Sequence, residues 1–270
     1  MNEKKLRLGL VGKDVSKSES ERIHRFILSQ LNVVCEYENF SIPDDQFDNT
    51  IRRLLGDFDG FNITIPYKRD VMEYLDDMQG DAVTFSAVNT VVSATKTGYN
   101  TDGVGFLQML LEAGVQLQGK TALVLGGGGS GRSSAKALQN AGATVSLYQR
   151  NQDDLYHTCQ ELSLIPATKA QVEAGGFDLV VNCTGVGMHN TEGRSPVPPT
   201  VFQGAEWAID LIYTPAVSEF LRQASAQGVR TLNGASMLFY QAYYADCIFL
   251  NIQPDEQQAI SLYQQYLLQR

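Results

Sequence analysis

Short apolar runs alternate with stretches of helical period over the first part of the chain. Residues 7–12 (RLGLVG) and 60–65 (GFNITI) have the length and character of strands, and residues 35–40 alternate as a half-buried strand does. Between them, residues 18–31 and 43–55 carry apolar side chains at helical spacing. Strands and helices that follow one another in this way predict an α/β layer fold.

The pattern changes around residues 86–92 (SAVNTVV). A turn at residues 96–98 and the segment YNTDGVGF follow, and then apolar residues recur at helical spacing over 104–113. This order predicts a hairpin or strand pair that leads into a helix.

A second α/β segment begins at Lys120 with TALVLGGGGSGRSSAKALQNAGATVSLYQRN. It predicts a strand, a glycine-rich turn, a helix and a second strand. Further strands are predicted at residues 178–182 and 207–211, and the chain ends in two helical stretches.

These elements predict two domains of α/β class. The first covers residues 1–103, and we expect the C-terminal helices, residues 236–270, to pack back on it. The second covers residues 104–235 and has the element order of a Rossmann-type domain.

Composition narrows the function classes. The net charge of −9 and the lack of any Lys or Arg run argue against nucleic acid as a partner. Four cysteines stand far apart without CxxC spacing, which predicts reduced thiols and no metal site. No secretory leader and no apolar stretch long enough for a bilayer is visible. We therefore expect a cytoplasmic protein.

The glycine-rich turn is a candidate nucleotide site, because it stands between a predicted strand and a predicted helix. Glycines allow the main chain to approach a pyrophosphate, whose charge then lies at the helix N-terminus. A flexible turn without a ligand is the alternative. The candidate residues are Gly126, Gly128, Gly129 and Ser130.

The end of the second strand of this segment indicates which dinucleotide binds. NAD sites usually carry an acid there, whereas this chain has Gln149 and Arg150. The planar fork of Arg150 suits a 2′-phosphate, which favours NADP. Asp153 and Asp154 weaken the local positive potential, and a solvated strand-end charge is the alternative reading of Arg150.

Polar residues collect at strand ends in the first predicted domain. Alternation places Asn62 and Thr64 on one strand face, where polar groups are costly unless they meet a ligand or a partner. Lys68 lies in the same segment, just past the predicted strand. Asn89 and Asp102 are further polar residues near predicted strand ends. Each of these residues taken alone has an ordinary structural explanation: Lys68 can be an exposed lysine, and Asp102 can be a helix cap.

Taken together, the segments resemble the shikimate dehydrogenase family over nearly the whole chain. The resemblance rests on their order and spacing: GLVGKDVSKSESERIH, GFNITIPYK, SAVNT, YNTDGVGF, VLGGGGSGR, NCTGVGM, DLIYTP and NGASMLFYQ. It implies reversible, NADP-dependent reduction of 3-dehydroshikimate to shikimate, a step of chorismate and aromatic amino acid biosynthesis. It also implies a substrate-binding first domain, an NADP-binding second domain, and a monomer or a homodimer.

The resemblance assigns roles residue by residue. Lys68 and Asp102 are the expected catalytic pair. Our hypothesis is that Lys68 transfers the proton and Asp102 orients it, although the sequence does not decide which of the two carries the proton. The expected substrate-binding residues are Ser18, Ser20, Asn62, Thr64, Asn89, Tyr213 and Gln241. Besides the glycine turn, the expected cofactor-binding residues are Gln149, Arg150, Thr184, Val186, Met188 and Gly234.

The chain departs from the family pattern at two motifs. The usual HSxSP reads KSESE here, so Glu21 adds negative charge beside Ser18 and Ser20. The usual NRT reads Gln149-Arg150-Asn151. Three alternatives therefore stay open: a quinate or aminoshikimate-type dehydrogenase of the same family, a non-catalytic NADP-binding sensor, and, more distantly, a methylenetetrahydrofolate dehydrogenase-like enzyme.

Overall fold

The computed structural model describes residues 5–269, apart from the side chain of His189. The chain forms two compact units. The first runs through Gly105 and resumes at Leu238, and the second runs from Phe106 to Met237. The chain passes from the first unit to the second within one helix and returns within another.

The first unit contains a mixed six-stranded sheet with helices. Its strands are β1 (Leu6–Gly12), β2 (Cys35–Ser41), β3 (Gly60–Ile63), β4 (Asp77–Met78), β5 (Thr90–Val92) and β6 (Thr97–Tyr99), in the order β2-β1-β3-β5-β6-β4. Its helices are α1 (Ser20–Gln30), α2 (Phe47–Asp57), α3 (Asp81–Phe85) and the first turn of α4 (Asp102–Glu112), with 3₁₀ turns at Asp44–Gln46, Asp70–Tyr74 and Ser93–Thr95. β1 is parallel to β2 and β3, whereas β5 is antiparallel to β3 and β6.

The strand at the centre of this unit is shorter than its sequence pattern predicts. β3 ends at Ile63 rather than at residue 65, and residues 65–69 form turns. Pro66 has no N–H for a sheet ladder, which accounts for the early end. The predicted strand pair is confirmed as β5 and β6. The turn predicted at residues 96–98 is wrong, because Thr97 and Gly98 pair in β6 and the 3₁₀ turn Ser93–Thr95 joins the two strands.

The C-terminal helices pack on the first unit as predicted. α9 (Ala235–Leu250) and α10 (Glu256–Leu267) lie against α1, where the ring of Phe26 is 6.2 Å from that of Phe239 and 5.3 Å from that of Tyr266. Aromatic side chains bury large areas, so these contacts tie the C-terminus to the first α/β layer.

The second unit contains a six-stranded parallel sheet. Its strands are β7 (Thr121–Leu125), β8 (Thr144–Tyr148), β9 (Ile165–Pro166), β10 (Leu179–Asn182), β11 (Trp207–Asp210) and β12 (Arg230–Asn233), in the order β12-β11-β10-β7-β8-β9. Its helices are α5 (Gly129–Asn140), α6 (Gln152–Leu162), α7 (Lys169–Ala174) and α8 (Glu219–Ser225), with the remainder of α4 and 3₁₀ turns at His189–Thr191 and Pro199–Phe202.

Counted from its own first strand, this sheet has the order 6-5-4-1-2-3, which read from its other edge is the Rossmann order 3-2-1-4-5-6. The predicted fold class is confirmed. Strand order reverses between β7 and β10, and ligands of such sheets bind at the carboxyl ends of the strands at that point. No helix in the described part of the chain is long and apolar enough to cross a membrane.

Candidate active site

Lys68 and Asp102 form an ion pair in the first unit. Nζ of Lys68 lies 2.6 Å from Oδ2 of Asp102, and the two side chains keep 16% and 9% of their surface exposed. Solvent screens such a sheltered pair less than a surface pair. Its charges therefore act strongly on a molecule bound beside them.

The backbone around Lys68 is held by its neighbours. Tyr67 is buried, stacks on Phe47 with ring centroids 4.5 Å apart, and donates its hydroxyl to the carbonyl oxygen of Ile42 at 2.8 Å. The carbonyl oxygen of Lys68 accepts from the N–H of Val88 at 2.8 Å. The amine thus projects from a fixed segment.

Asp102 is the first residue of α4, where the helix dipole favours a negative charge. Its N–H donates to Oδ1 of Asn100 at 3.0 Å, and its Oδ1 accepts from Nδ2 of Asn89 at 2.8 Å. Each carboxylate oxygen therefore accepts one charge-assisted bond, one from Asn89 and one from Lys68.

Asn62 and Asn89 lie in a buried polar network. Asn62 is 4% exposed, and its Oδ1 accepts from the hydroxyl of Tyr37 at 3.0 Å. Its Nδ2 donates to the carbonyl oxygen of Asn89 at 3.2 Å and to Oγ1 of Thr90 at 3.1 Å. The polar strand residue therefore meets protein partners, one of the two possibilities that its alternation pattern left open.

Ser18 and Ser20 lie together at the start of α1. Oγ of Ser18 is 3.0 Å from Oγ of Ser20 and accepts from the N–H of Ser20 at 3.2 Å. The side chain of the N-cap residue Glu19 makes no capping bond, so the remaining N-terminal amides of α1 add to a local positive potential. Hydroxyls beside a helix N-terminus can bind a carboxylate.

The two glutamates of the KSESE motif have cationic partners. Glu21 accepts from Nε of Arg25 at 2.9 Å, one helical turn further on. Glu19 lies 3.6 Å from NH1 of Arg22. The negative charge that the motif adds is therefore ion-paired with arginines of α1.

Thr64 and Gln241 are placed by close approaches at glycines. A Cβ on Gly12 would lie 2.5 Å from Cγ2 of Thr64, so the end of β1 packs tightly on that side chain. A Cβ on Gly105 would lie 2.7 Å from the backbone nitrogen of Gln241, so α4 and α9 touch there. Gln241 itself donates through Nε2 to the carbonyl oxygen of Leu238 at 2.9 Å.

The glycine-rich turn of the second unit has the geometry of an anion cradle. Gly126 has φ +97°, a conformation open to glycine, and a Cβ on Gly131 would lie 1.8 Å from the carbonyl oxygen of Gly126. Gly128 precedes α5 with no side-chain cap, and a Cβ there would meet nothing within 4 Å. The open space faces the N-terminal amides of α5, which fits a pyrophosphate.

Gln149 lies over this turn and Arg150 points to solvent. A Cβ on Gly127 would be 2.1 Å from Oε1 of Gln149. Arg150 is exposed, and its guanidinium makes no hydrogen bond or ion pair with other described residues. Asn151 caps α6 by accepting from the N–H of Asp153 at 3.1 Å. An unpaired guanidinium just after β8 can donate hydrogen bonds to a 2′-phosphate.

Thr184, Val186 and Met188 lie in a loop built on the end of β10. Oδ1 of Asn182 accepts from the N–H and the hydroxyl of Thr184 at 3.0 and 2.7 Å. The hydroxyl of Thr184 in turn accepts from the N–H of Val186 at 3.2 Å, and the N–H of Met188 donates to the carbonyl oxygen of Gly185 at 3.4 Å. The loop is ordered by its own short-range bonds.

A buried aspartate ties this loop to the next strand. Oδ1 of Asp210 accepts from Nδ2 of Asn182 at 3.0 Å and from the N–H of Ile212 at 3.0 Å, and Oδ2 accepts from the hydroxyl of Ser218 at 2.5 Å. Burial raises the pKa of Asp210 above its usual range, opposed by these three bonds. One carboxyl thus orders both the residue 183–188 loop and the segment that leads to Tyr213.

Tyr213 and Gly234 follow neighbouring strands. Tyr213 is 37% exposed and lies beyond the end of β11. A Cβ on Gly234 would lie 2.2 Å from the carbonyl oxygen of Leu211, so only glycine allows the approach of these two segments. Both residues lie at the carboxyl ends of strands, as ligand-contacting residues of such sheets do.

Hydrogen bonds connect some of the predicted site residues and not others. Lys68, Asp102, Asn89 and Asn62 form one hydrogen-bonded group; among the residues described, no hydrogen bond links it to the Ser18–Ser20 pair. Four polar residues that order these groups were not predicted from the sequence. They are Tyr37, Thr90, Asn182 and Asp210.

Asn182 and Asp210 had a signal in the sequence, because each ends an apolar run that predicts a strand. Tyr37 and Thr90 had none, since their partners depend on strand register. No cluster of three or more metal-ligating side chains occurs among residues 5–269 as described.

The sequence matches a known family over part of its length. Residues 10–91 match the family described as "Shikimate dehydrogenase substrate binding domain". The shikimate dehydrogenase (NADP(+)) of Archaeoglobus fulgidus is 33% identical over 258 residues, which cover 93% of this chain and 94% of that protein. The enzyme of the same name from Thermus thermophilus is 35% identical over 254 residues, covering 93% and 94%.

Solved structures agree with this. The shikimate 5-dehydrogenase of Thermus thermophilus, in complex with NADP(H) and shikimate, superposes with a TM-score of 0.87 at 31% identity, covering 96% of this chain and 99% of that one. A chorismate mutase/shikimate 5-dehydrogenase fusion protein from Clostridium acetobutylicum gives a TM-score of 0.90 at 30% identity, covering 98% of both chains. The chain described here belongs to the shikimate dehydrogenase family.

Proposed function

We propose that this chain is an NADP-dependent shikimate dehydrogenase, which reversibly reduces 3-dehydroshikimate to shikimate. The observation that carries the proposal is the sheltered pair of Lys68 and Asp102 in the unit that matches the family's substrate-binding domain. A pure NADP-binding sensor needs neither side chain. The relatives named above are NADP(+) enzymes, which supports the cofactor.

The pair suits the proton transfer that accompanies alcohol oxidation. A neutral Lys68 accepts the proton of the reacting hydroxyl, and in the reverse direction the ammonium returns it to the ketone oxygen. Asp102 keeps one lone pair on each oxygen beyond its bonds to Lys68 and Asn89, so it can also accept from a substrate hydroxyl. Its negative charge lies beside the amine that receives the proton.

The ring carboxylate has a candidate site at Ser18 and Ser20. Their hydroxyls lie at the N-terminus of α1, and Glu21 is paired with Arg25. The altered motif is therefore compatible with an anionic substrate. Thr64, Gln241 and Tyr213 stay predicted contacts of the substrate.

The second unit fits NADP through its own residues. The glycine turn leaves room for the pyrophosphate at the N-terminus of α5, and Arg150 is free for the 2′-phosphate. The bound nicotinamide supplies hydride transfer. We propose that Thr184, Val186, Met188 and Gly234 orient the ring, because they lie at the carboxyl ends of β10 and β12.

Replacement of Lys68 by methionine tests the catalytic assignment. Met keeps the length of the side chain and removes the amine, so kcat for shikimate oxidation should fall by ~10²–10⁴-fold. The KM for NADP should change by less than about twofold, because the substitution touches no proposed cofactor contact.

Lys96→Met is the matched control, since Lys96 is an exposed lysine paired with Asp76 at 3.7 Å. It should keep wild-type kcat. A Lys68→Met enzyme with near wild-type kcat would remove Lys68 from the mechanism. We also expect the protein to be cytoplasmic. We expect it to be a monomer or a homodimer, and sedimentation can distinguish these two states.

A further inference from the structure

A directed chain of hydrogen bonds runs through the interior of the first unit and ends at Asp102. The hydroxyl of Tyr37 contacts Asn62 at 3.0 Å, and Asn62 contacts Thr90 at 3.1 Å. Thr90 contacts Asn89 at 2.9 Å, and Asn89 contacts Asp102 at 2.8 Å. We call these four bonds, from Tyr37 to Asp102, the relay.

Two backbone groups set the direction of the relay. The N–H of Thr101 lies 2.9 Å from one side-chain atom of Asn89, and since an N–H can only donate, that atom is Oδ1. The other atom of the amide is therefore Nδ2, and it donates to Asp102.

The carbonyl oxygen of Asn89 fixes Asn62 by the same logic. A carbonyl can only accept, so the Asn62 atom 3.2 Å from it is Nδ2, and Oδ1 faces Tyr37. Thr90 accepts from Asn62, so its own proton goes to Oδ1 of Asn89. Tyr37 must donate, and burial raises its pKa well above the usual value, which keeps the phenol protonated.

Every donor in the relay thus points toward Asp102. Hydrogen bonds in series polarise one another, so each upstream donor strengthens the bond that Asn89 gives to the carboxylate. The four residues upstream of Asp102 are 4% exposed or less, so water does not compete for these bonds. Thr90 is the link on which the series depends, because its hydroxyl both accepts from Asn62 and donates to Asn89.

We propose that Thr90, with Asn62 and Tyr37 behind it, is a positioning residue for the proton-transfer step: it fixes and polarises the Asn89 amide that donates to Asp102 beside Lys68. The inference rests on the proposed function for its catalytic consequence. The relay itself is a property of this chain's buried residues. It also gives Asn62 a role that acts through Asn89 rather than by contact with substrate.

Thr90→Val removes the hydroxyl and keeps the shape of the side chain. The acid limb of the kcat/KM profile for shikimate oxidation should move to higher pH by about 0.2–0.6 unit, the effect of a 10–30% weaker charge-assisted bond. Thr90→Ser keeps the hydroxyl and should restore the wild-type limb. Tyr37→Phe, two bonds further back, should shift it in the same direction by less.

Thr97→Val is the matched control. Thr97 is a buried threonine of the adjacent strand β6, and its hydroxyl bonds to the carbonyl oxygen of Thr95 outside the relay. It should leave the acid limb where it is. Melting temperatures of all variants show whether a change in folding accompanies the shift.

A second readout does not need turnover. The carboxyl ¹³C signal of Asp102, identified by its absence in Asp102→Asn, can be followed against pH in each variant. Its transition should move to higher pH in Thr90→Val and stay in place in Thr97→Val. If Thr90→Val leaves both the transition and the acid limb within about 0.1 pH unit of wild type, the relay has no influence on Asp102 and the inference is overturned. A wild type that does not oxidise shikimate contradicts the proposed function alone, and the ¹³C transition then decides the relay.

Discussion

Two alanine substitutions in the glycine turn of the second unit should have different effects. One should lower the melting temperature, and the other should weaken NADP binding without changing that temperature. At Gly131 a Cβ would lie 1.8 Å from the carbonyl oxygen of Gly126, far inside van der Waals contact. Gly131→Ala therefore forces the turn and the start of α5 apart. Overpacking of this kind costs ~1–3 kcal/mol, or about 2–10 °C in Tm for a chain of this size.

At Gly128 a Cβ meets nothing within 4 Å, and φ is −70°, which alanine adopts freely. The loss of a favourable N-cap glycine and the gain from a stiffer unfolded chain are each below ~1 kcal/mol and oppose one another. Gly128→Ala should therefore keep the wild-type Tm. Its methyl group occupies the open space assigned to the pyrophosphate, so the Kd for NADP should rise by about tenfold or more.

Calorimetry for Tm and fluorescence titration for NADP separate the two effects. Gly56→Ala, on the open surface of α2, is the control for NADP affinity, and its Tm should not fall because alanine favours the helix. A Gly131→Ala protein with unchanged Tm would contradict the close approach of Gly131 to Gly126. A Gly128→Ala protein that binds NADP with wild-type affinity would contradict the placement of the pyrophosphate.

Two further predictions concern charge in the second unit. Arg150→Leu should raise the KM for NADP by about tenfold and leave the KM for NAD within about twofold, since an exposed charge-assisted bond to the 2′-phosphate is lost; equal changes for both nucleotides would exclude that contact. Asp178 accepts from the N–H and the hydroxyl of Thr121, both at 2.8 Å, and these bonds lower its pKa. A depressed carboxyl pKa gives stability that is complete above the unfolded-state value near ~4 and is lost as pH falls through the folded value. Asp178→Asn should therefore lower Tm at neutral pH and flatten its fall in acid, and an unchanged Tm–pH curve would count against the assignment.

Local patterns predicted those parts of the fold that depend on nearby residues. The strand, glycine turn and helix around Gly126 follow from a short apolar run and a cluster of glycines, and the second strand predicted in that segment is observed as β8. The two-residue strand β9 and the edge strand β12 were not predicted, because neither carries the apolar pattern of a buried strand. Tertiary pairing stabilises them.

In the candidate site, too, local sequence patterns predicted some features, whereas others depend on tertiary pairing. Alternation predicted that Asn62 needs a partner, but the partner itself depends on the register that sets Asn62 opposite Thr90 in the antiparallel pair β3–β5. Lys68 and Asp102 are 34 residues apart, and their ion pair came from the family resemblance rather than from spacing. The concern over Glu21 in the KSESE motif could not be resolved from sequence, because the helical turn that brings Arg25 to it had to form first.

The most direct test of the account is the initial rate of nucleotide reduction by the wild-type chain, measured with shikimate and quinate against NADP and NAD. We expect efficient turnover with shikimate and NADP. The value of kcat/KM should be much lower when quinate replaces shikimate or NAD replaces NADP. Tight NADP binding with no turnover of shikimate would contradict the proposed function, and turnover of quinate would then separate a dehydrogenase of a different acid from a non-catalytic NADP-binding protein.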